Sequence, residues 1–548
     1  MQKNNKKLIR TSLAAALITG LGVATLKNKK VLGVIMSGTT ETIGLTNTMI
    51  KEKLSGIKQE IASQKLKPSA NFPLIQLPEG YEIEKVADGL TYPTSVAWDD
   101  QGTLYVAEAG GTFEDEPGVE ARILRVENGT ATEVINLTGK VYPAISGMTW
   151  HNGAFYITHR EMDLSGAVSK VTMDGEVTQL IGGIVDSKSD HQPNDIRVGT
   201  DGRMYVCVGI GGNSGYMDQN VMASVKRSPD GHPTVAQDIV LTGVNIEIPN
   251  YLKNSPESIL TGAFVPFGTV TEPGQVIKGR NKCGGSILVF DPEDAEATVK
   301  PYAWGFRNTI GIAWNQAGEM FAAINGYDNG PGRPIKDVYD GTYRVKEGAW
   351  YGWPDFTANF DPVTDPRYRP TTMTIAPAFI GDKRLDRKLH FLIDHKASNL
   401  KQPDKSLILG LHEVNSSPSK PDMAPASWEE YADHLFVPEF GDFEWFTNPA
   451  RDKSAGSRIS VIDTNSRGQQ KVQPFIQNEE PAPASQLGKR GEGIERPYDV
   501  KFGPDGAMYI VDFCSLRVNL DRIAQDGEGH FPVDFHKETG MIWKVTQK

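Results

Sequence analysis

Six segments of this chain follow one pattern, and that repetition limits what the chain can fold into. They are WDDQGTLYVAEAG (98–110), WHNGAFYITHR (150–160), VGTDGRMYVCVG (198–209), WNQAGEMFAAING (314–326), YADHLFVPEFG (431–441) and FGPDGAMYIVDF (502–513). Most carry a turn with Gly, then an alternating strand centred on an aromatic residue: Tyr105, Tyr156, Tyr205, Phe321, Phe436 and Tyr509. A further strand-like run follows each, such as RILRV (122–126) or MIWKV (541–545). Paired strands with Gly-rich turns, repeated six times, predict an all-β chain folded as a six-bladed β-propeller. A β-sandwich with extra hairpins explains the repetition poorly.

A propeller has a geometric consequence. In each blade the innermost strand begins at one face, turns at the other, and returns as the second strand. Residues just before the innermost strands therefore gather around the central channel on one face. Here they are Tyr92, Pro93 and Thr94; Ser146; His191 and Asn194; Arg307 and Asn308; and Arg496, Pro497 and Tyr498. The loops that leave the second strands lie on the same face and carry the insertions, the longest from about Gly211 to Cys283 and another after Asp512. A channel rimmed by long loops is where a ligand site belongs. Topology thus places His191 for chemistry, where a plain hairpin needs no histidine. The bland alternative for Arg307 and Arg496 is that they tie neighbouring blades together. The turn-rich YGWPDF (351–356) reads as core packing through Trp353 and Phe356.

Composition narrows the partners. A net charge of −11, with no long basic stripe, excludes a nucleic-acid surface. Three cysteines, with no C-x-x-C pair, exclude a disulfide framework, and Cys207 inside an apolar run reads as a buried thiol. The N-terminus is basic (MQKNNKKLIR), then mostly apolar (11–26), then KNKK. That order predicts a signal peptide or signal-anchor over 1–30, hence an extracytoplasmic protein that is secreted, periplasmic or anchored to a membrane through this segment. Ile50, Leu54, Ile57 and Ile61 lie on one face of a predicted helix at 41–67, within a helical linker of 31–75. The propeller is expected over 76–548.

HQPNDIRVGTDGRMYVCVG, YAWGFRNTIGIAW, KEGAWYGWPDF and ERPYDVKFGPDGAMYIVDF together resemble the glucose/sorbosone dehydrogenase family over about 76–548. The resemblance implies a six-bladed propeller using pyrroloquinoline quinone (PQQ) and calcium, oxidising a sugar or polyol by hydride transfer to the quinone, with an unidentified electron acceptor beyond it. It implies that His191 is the general base and that Arg307 stabilises the quinone oxygens as they are reduced. It also implies cofactor contacts from Asn308, Asn194, Arg496 and Tyr498, and calcium held by carbonyls around Gly326 and Tyr327. The sequence departs from that pattern at three places. Ile210 stands where the family has an aspartate supporting the histidine. Gly441 stands near where it has a cofactor-binding lysine, and Tyr498 where it has a second arginine. PQQ carries three carboxylates, so two lost cations predict weakened binding.

Two other functions suit the same fold. A calcium-dependent lactonase or esterase would need acidic and amide ligands across the channel, for which Asn194, Asn308 and Asp499 are available. A non-catalytic propeller binding glycan or protein would need none of this chemistry.

Overall fold

Six four-stranded antiparallel units follow one another around a ring in the computed structural model, which describes residues 66–112, 118–250, 252–253, 257–370, 372–443, 454–519 and 533–548. The export segment over 1–30 and the predicted helix, except its last two residues, lie outside the described residues. Blade 1 comprises Pro93–Trp98, Leu104–Ala109, Ala121–Glu127 and Thr130–Asn136. Blade 2 comprises Met148–His151, Ala154–Arg160, Gly166–Thr172 and Val177–Ile184. Blade 3 comprises Pro193–Val198, Met204–Val208, Ser286–Phe290 and Lys300–Trp304. Blade 4 comprises Asn308–Trp314, Met320–Asn325, Asp340–Val345 and Ile408–His412. Blade 5 comprises Asp422–Met423, His434–Glu439, Arg458–Asp463 and Gln473–Asn478. Blade 6 comprises Pro497–Phe502, Met508–Asp512 and Gly540–Gln547, and takes its outermost strand, Tyr81–Leu90, from the beginning of the propeller.

The aromatic residues of the repeat close the ring. Each faces the next blade and sits in the apolar cluster shared with it. Tyr105 lies in the cluster between blades 1 and 2, Tyr156 between 2 and 3, and Tyr205 between 3 and 4. Phe321 lies between blades 4 and 5, Phe436 between 5 and 6, and Tyr509 between 6 and 1. The phenols of Tyr105, Tyr205 and Tyr509 reach back to turn carboxylates, donating to Asp99 (3.0 Å), Asp201 (2.9 Å) and Asp505 (3.0 Å). Large apolar rings with one satisfied polar end suit such interfaces. Glycine at the turn is required, because Gly102, Gly202 and Gly506 have φ of +79°, +78° and +76°.

The part of the expected 31–75 linker that the structure describes is not helical. Lys67–Pro68 and Ile75–Leu77 extend the outer edge of blade 5, Ile75 is fully buried, and Phe72 meets Trp543 edge-on. The packed body therefore begins about ten residues before the expected boundary at 76, because these apolar residues cover a sheet edge.

Two long insertions, between Val208 and Ser286 and between Val345 and Ile408, fold together. Asn245–Pro249 pairs with Ala378–Ile380, and one apolar cluster draws Trp353, Phe356, Tyr216 and Leu392 from both. Buried carboxylates pin them. Asp186 accepts from the N–H groups of Gly211, Thr234 and Gly284, and Asp355 from those of Leu392 and Ile393. The expected core role of Trp353 and Phe356 and the buried thiol of Cys207 are both found.

Candidate functional site

Below the mouth, the channel is filled by charge. Arg197 meets Asp195 at 2.9 Å, Asp499 at 3.5 Å and Asp422 at 3.9 Å. Lys501 lies 3.6 Å from Asp499 and donates to the carbonyls of Val96 and Met148. Lys420, fully buried, crosses from blade 5 to donate to the carbonyls of Thr94 and Ser146 in blades 1 and 2. Burial depresses its pKa to about 8 against the pull of Asp499 and Asp195. Three cations face three carboxylates, so the plug is near neutral, and both lysines are spent on main-chain carbonyls.

The mouth lies directly above. His191 Nδ1 is 2.6 Å from the main-chain oxygen of Ile210, which makes Nδ1 the protonated nitrogen. Nε2 has no hydrogen-bond partner among the described residues. Burial pushes the imidazole below its ordinary pKa, Asp190 opposes this, and Arg307 adds to it. Asp190 Oδ1, 3.5 Å from His191 Nδ1, accepts from Gly212 N and Ser189 Oγ. Its own pKa is opposed by burial but held below the ordinary range by His191, Arg307 and those donors.

A chain of contacts joins the expected residues. Gly209 lies between His191 and Asn308, since a Cβ there would sit 2.4 Å from both Asn308 Oδ1 and His191 Cβ. Asn194 Nδ2 donates to Asn308 Oδ1 at 2.9 Å and to Thr309 O at 2.8 Å, fixing the second amide. Arg307 accepts at its carbonyl from Ile210 N, and its guanidinium meets Asp328 at 2.5 Å. Its Nε is buried and has no hydrogen-bond partner among the described residues. On the far side, Tyr498 hydroxyl and Ser146 Oγ are 2.9 Å apart, and the next residue, Gly147, packs on Asn194. The structure thus brings together His191, Asn194, Arg307, Asn308 and Tyr498 at one mouth.

Three expected residues are placed elsewhere. Arg496 is fully buried, donates to the carbonyls of Phe440 and Asp442, and lies against the rings of Phe440 and Phe443. It ties blade 5 to blade 6 and is not a cofactor contact. Tyr327 is buried in the insertion core with its hydroxyl on Phe356 O, and Gly326 N donates to Asp340 Oδ1. Asp340, the carboxylate beside them, is spent on the N–H groups of Gly326 and Ser417, and no group of three His, Cys, Asp or Glu side chains suited to a metal occurs among the described residues. The Asp340 carboxylate beside the expected carbonyls is therefore not offered to an ion. Asn194 and Asn308 bond to each other, and Asp499 is held in the plug by Ser95, Arg197 and Lys501, so the ligand ring of a calcium-dependent hydrolase is not assembled.

PQQ meets a divided fit. Arg307 suits a quinone oxygen. Among the described residues, Arg496 is enclosed and Lys420 is spent under Tyr498, 4.4 Å from its ring centre, so neither is offered to the three carboxylates. Asp190 and Asp328 would repel them. Among the described residues the match to this tricarboxylate is incomplete.

Sequence reading missed Asp190, Gly209, Asp328 and Lys420. Asp190 immediately precedes the quoted motif and Gly209 ends it, so both were legible there. Asp328 follows the Gly326–Tyr327 pair, and nothing local marks it as the partner of Arg307. Lys420 precedes a strand of two residues, too short to show the repeat.

No protein-family model matches the chain, and no curated relative matches it. Its fold is similar to that of several solved structures. One is the PQQ-bound aldose sugar dehydrogenase of Streptomyces coelicolor, at 16% identity and TM-score 0.45, covering 86% of this chain and 99% of that one. Another is the PQQ domain of pyranose dehydrogenase from Coprinopsis cinerea, at 14% identity and TM-score 0.48, covering 88% and 98%. A third is a Trichoderma reesei carbohydrate-active enzyme of family AA12, at 14% identity and TM-score 0.49, covering 89% and 100%. The six-bladed assignment rests on the sheet pairing of this chain itself.

Proposed function

We propose that this protein is an extracytoplasmic oxidoreductase that oxidises a hydroxyl of a sugar or polyol, with His191 as general base and a quinone-class acceptor for the hydride. The observation that carries the reading is the hydrogen bond from His191 Nδ1 to Ile210 O, which leaves Nε2 with a lone pair at the channel mouth. Burial and Arg307 both favour the neutral ring, the state a base needs.

As the substrate hydroxyl gives its proton to Nε2, the carbon releases a hydride and becomes a carbonyl. Arg307 supplies a fixed positive charge where negative charge develops on the acceptor oxygen. Asn194 holds Asn308 Oδ1, so the Asn308 amide nitrogen is presented to a ligand hydroxyl. Asp328 fixes the guanidinium and adds an acceptor for a second hydroxyl. Neutral amides, one carboxylate–guanidinium pair and nearby rings suit a polyhydroxylated ligand.

Export is part of this reading and is motivated by the basic and apolar order of 1–30. Fractionation of the producing cell tests it, and recovery of the full chain in the cytosol overturns it. The activity is tested by incubating purified protein with a panel of aldoses and polyols and an artificial quinone acceptor. Sugar-dependent acceptor reduction is expected, and its absence across the panel overturns the proposal.

A further inference from the structure

We propose that Asp190 is a positioning residue for the base, its carboxylate carrying the counter-charge for the His191 ring when that ring takes the substrate proton; this rests on the oxidoreductase reading above and adds a residue to it. Asp190 Oδ1 lies 3.5 Å from His191 Nδ1. The Nδ1 proton is already donated to Ile210 O at 2.6 Å, so the carboxylate acts on the ring by charge and not as its hydrogen-bond acceptor. Consecutive side chains of an extended strand point to opposite faces. Ser189 and Asp190 form a bend ahead of the strand that begins at Pro193, and that bend lets Asp190 turn back beside the ring of its own neighbour.

The root of the first insertion holds the carboxylate there. Gly212 N donates to Asp190 Oδ1 at 3.0 Å, and Ser189 Oγ donates to the same oxygen at 3.0 Å. The preceding amide, Gly211 N, donates to buried Asp186 at 3.1 Å. Two carboxylates on one short segment thus grip two consecutive amides, which ties the placement of Asp190 to the insertion. Gly212 has φ of +80°, and a Cβ there would sit 2.7 Å from Tyr216 O, so the turn that aims its N–H needs glycine. The amide of Gly212 and the Ser189 hydroxyl both favour the ionised form of Asp190.

Arg307 is what makes a counter-charge necessary. Its guanidinium suits negative charge on the acceptor, but it disfavours a second cation on His191. The charged groups that face the ring come from three segments: Asp190 ahead of blade 3, Arg307 ahead of blade 4, and Asp328 in the loop after Met320–Asn325. Burial lowers the imidazole pKa most; Asp190 raises it, Arg307 lowers it, and the bond to Ile210 O and Asp328 raise it. Asp190 is itself faced by Asp218 of the first insertion, whose carboxyl burial pushes up to about 7 against the Asn220 donors, with Asp190 adding to the rise. With the imidazole neutral, Asp190 and Asp328 stand against Arg307 alone. With Nε2 protonated, the same two carboxylates stand against two cations. Taking the substrate proton therefore brings these groups into balance, with the carboxylate on the Nδ1 side of the ring and Nε2 left to the substrate.

Titration of His191 by NMR in the full chain, carrying isotopically labelled histidine, reads the pairing without any substrate. The His191 signal is assigned by its loss in His191→Gln. In Asp190→Asn, which keeps an acceptor for Gly212 N, the midpoint is expected to move to lower pH, because the charge that favours the imidazolium is gone. Turnover of a sugar or polyol with an artificial quinone is expected to fall about 10-fold with KM changed less than about 2-fold, and the acid limb of the pH–rate profile to move with the midpoint. Should Asp190→Asn fail to fold, Asp190→Ser, also uncharged, reads the same shift. A midpoint no lower than that of the unaltered protein overturns the proposal, and so does full turnover with a shifted midpoint. A ring that stays neutral to the pH of unfolding in the unaltered protein overturns it as well. A shifted midpoint in a protein that oxidises no sugar or polyol leaves the pairing standing and removes the activity.

Discussion

His191 Nδ1 donates across 2.6 Å to the main-chain oxygen of Ile210, so a residue with an apolar side chain sets the tautomer of the site's histidine. The side chain at 210 has no part in this, because the bond is to backbone. The orientation survives at a position where the resembled family uses an aspartate. Asp190, the residue before the histidine, also brings a carboxylate to within 3.5 Å of the same ring nitrogen.

The first prediction concerns that base. His191→Gln should lower turnover by about two orders of magnitude or more, the scale of losing a general base, with little change in substrate affinity. Because burial and Arg307 lower the imidazole pKa, the ring stays neutral to below its ordinary titration range. Activity should therefore persist on the acid side of that range and fall only below it. A pH–rate profile breaking above the ordinary imidazole value would contradict the assignment.

Gly209→Ala should disrupt the same site without touching ligand. Its Cβ would sit 2.4 Å from His191 Cβ, which is fixed to the backbone, and 2.4 Å from Asn308 Oδ1, which Asn194 holds. Overpacking of this kind costs roughly 1–3 kcal/mol. Thermal unfolding should show that loss, and turnover should fall alongside. Unchanged activity and stability would mean that the two side chains are not held together.

Arg496→Met should act on stability and not on ligand binding. Removing a buried guanidinium that donates to the carbonyls of Phe440 and Asp442 strands those acceptors, at about 1–3 kcal/mol each. Denaturant unfolding measures the loss. A variant of native stability that binds ligand poorly would return Arg496 to the site.

Stability should also fall as pH rises from mildly acidic to neutral. Burial raises Glu495 from 4.5 to about 7, with Asp512 beside it adding to the shift. Burial likewise raises Asp512 from 3.8 to about 6. A carboxyl whose folded pKa lies above its unfolded value favours folding in the protonated form. Its contribution is intact below the unfolded pKa and is lost as pH climbs through the folded one. Glu495→Gln should flatten the dependence of Tm on pH between about 5 and 8. A Tm that falls just as steeply in the variant would assign the effect to other groups.

Deleting 1–65 should leave all six blades, whereas deleting 1–77 should not be neutral. The longer deletion removes Ile75 and Leu77 from the blade 5 edge and Phe72 from Trp543. Comparing the unfolding of both proteins tests the boundary, and equal cooperativity and midpoint would restore it to 76.

The ring of six blades was legible because a local device repeats: a Gly turn, then a strand with an aromatic that must be buried against the next blade. The convergence of His191, Asn194, Arg307, Asn308 and Tyr498 followed from that topology, since each stands at the start of an innermost strand. Contacts between distant segments were not legible. Tyr81–Leu90 looks like any amphipathic strand, and only ring closure makes it the outer strand of the last blade. Arg496 and Tyr498 share one motif and look alike as candidates. Packing turns one inward onto carbonyls of blade 5 and leaves the other facing Ser146 across the mouth. Lys420 spans the channel from a two-residue strand, and nothing local marks the carbonyls it meets. Residue type and period are local properties, so the sequence alone determined the blades, their number and the face that carries the site. Burial and charge compensation depend on which segments meet, so only the tertiary structure decided which cations are spent and which nitrogen of His191 is free.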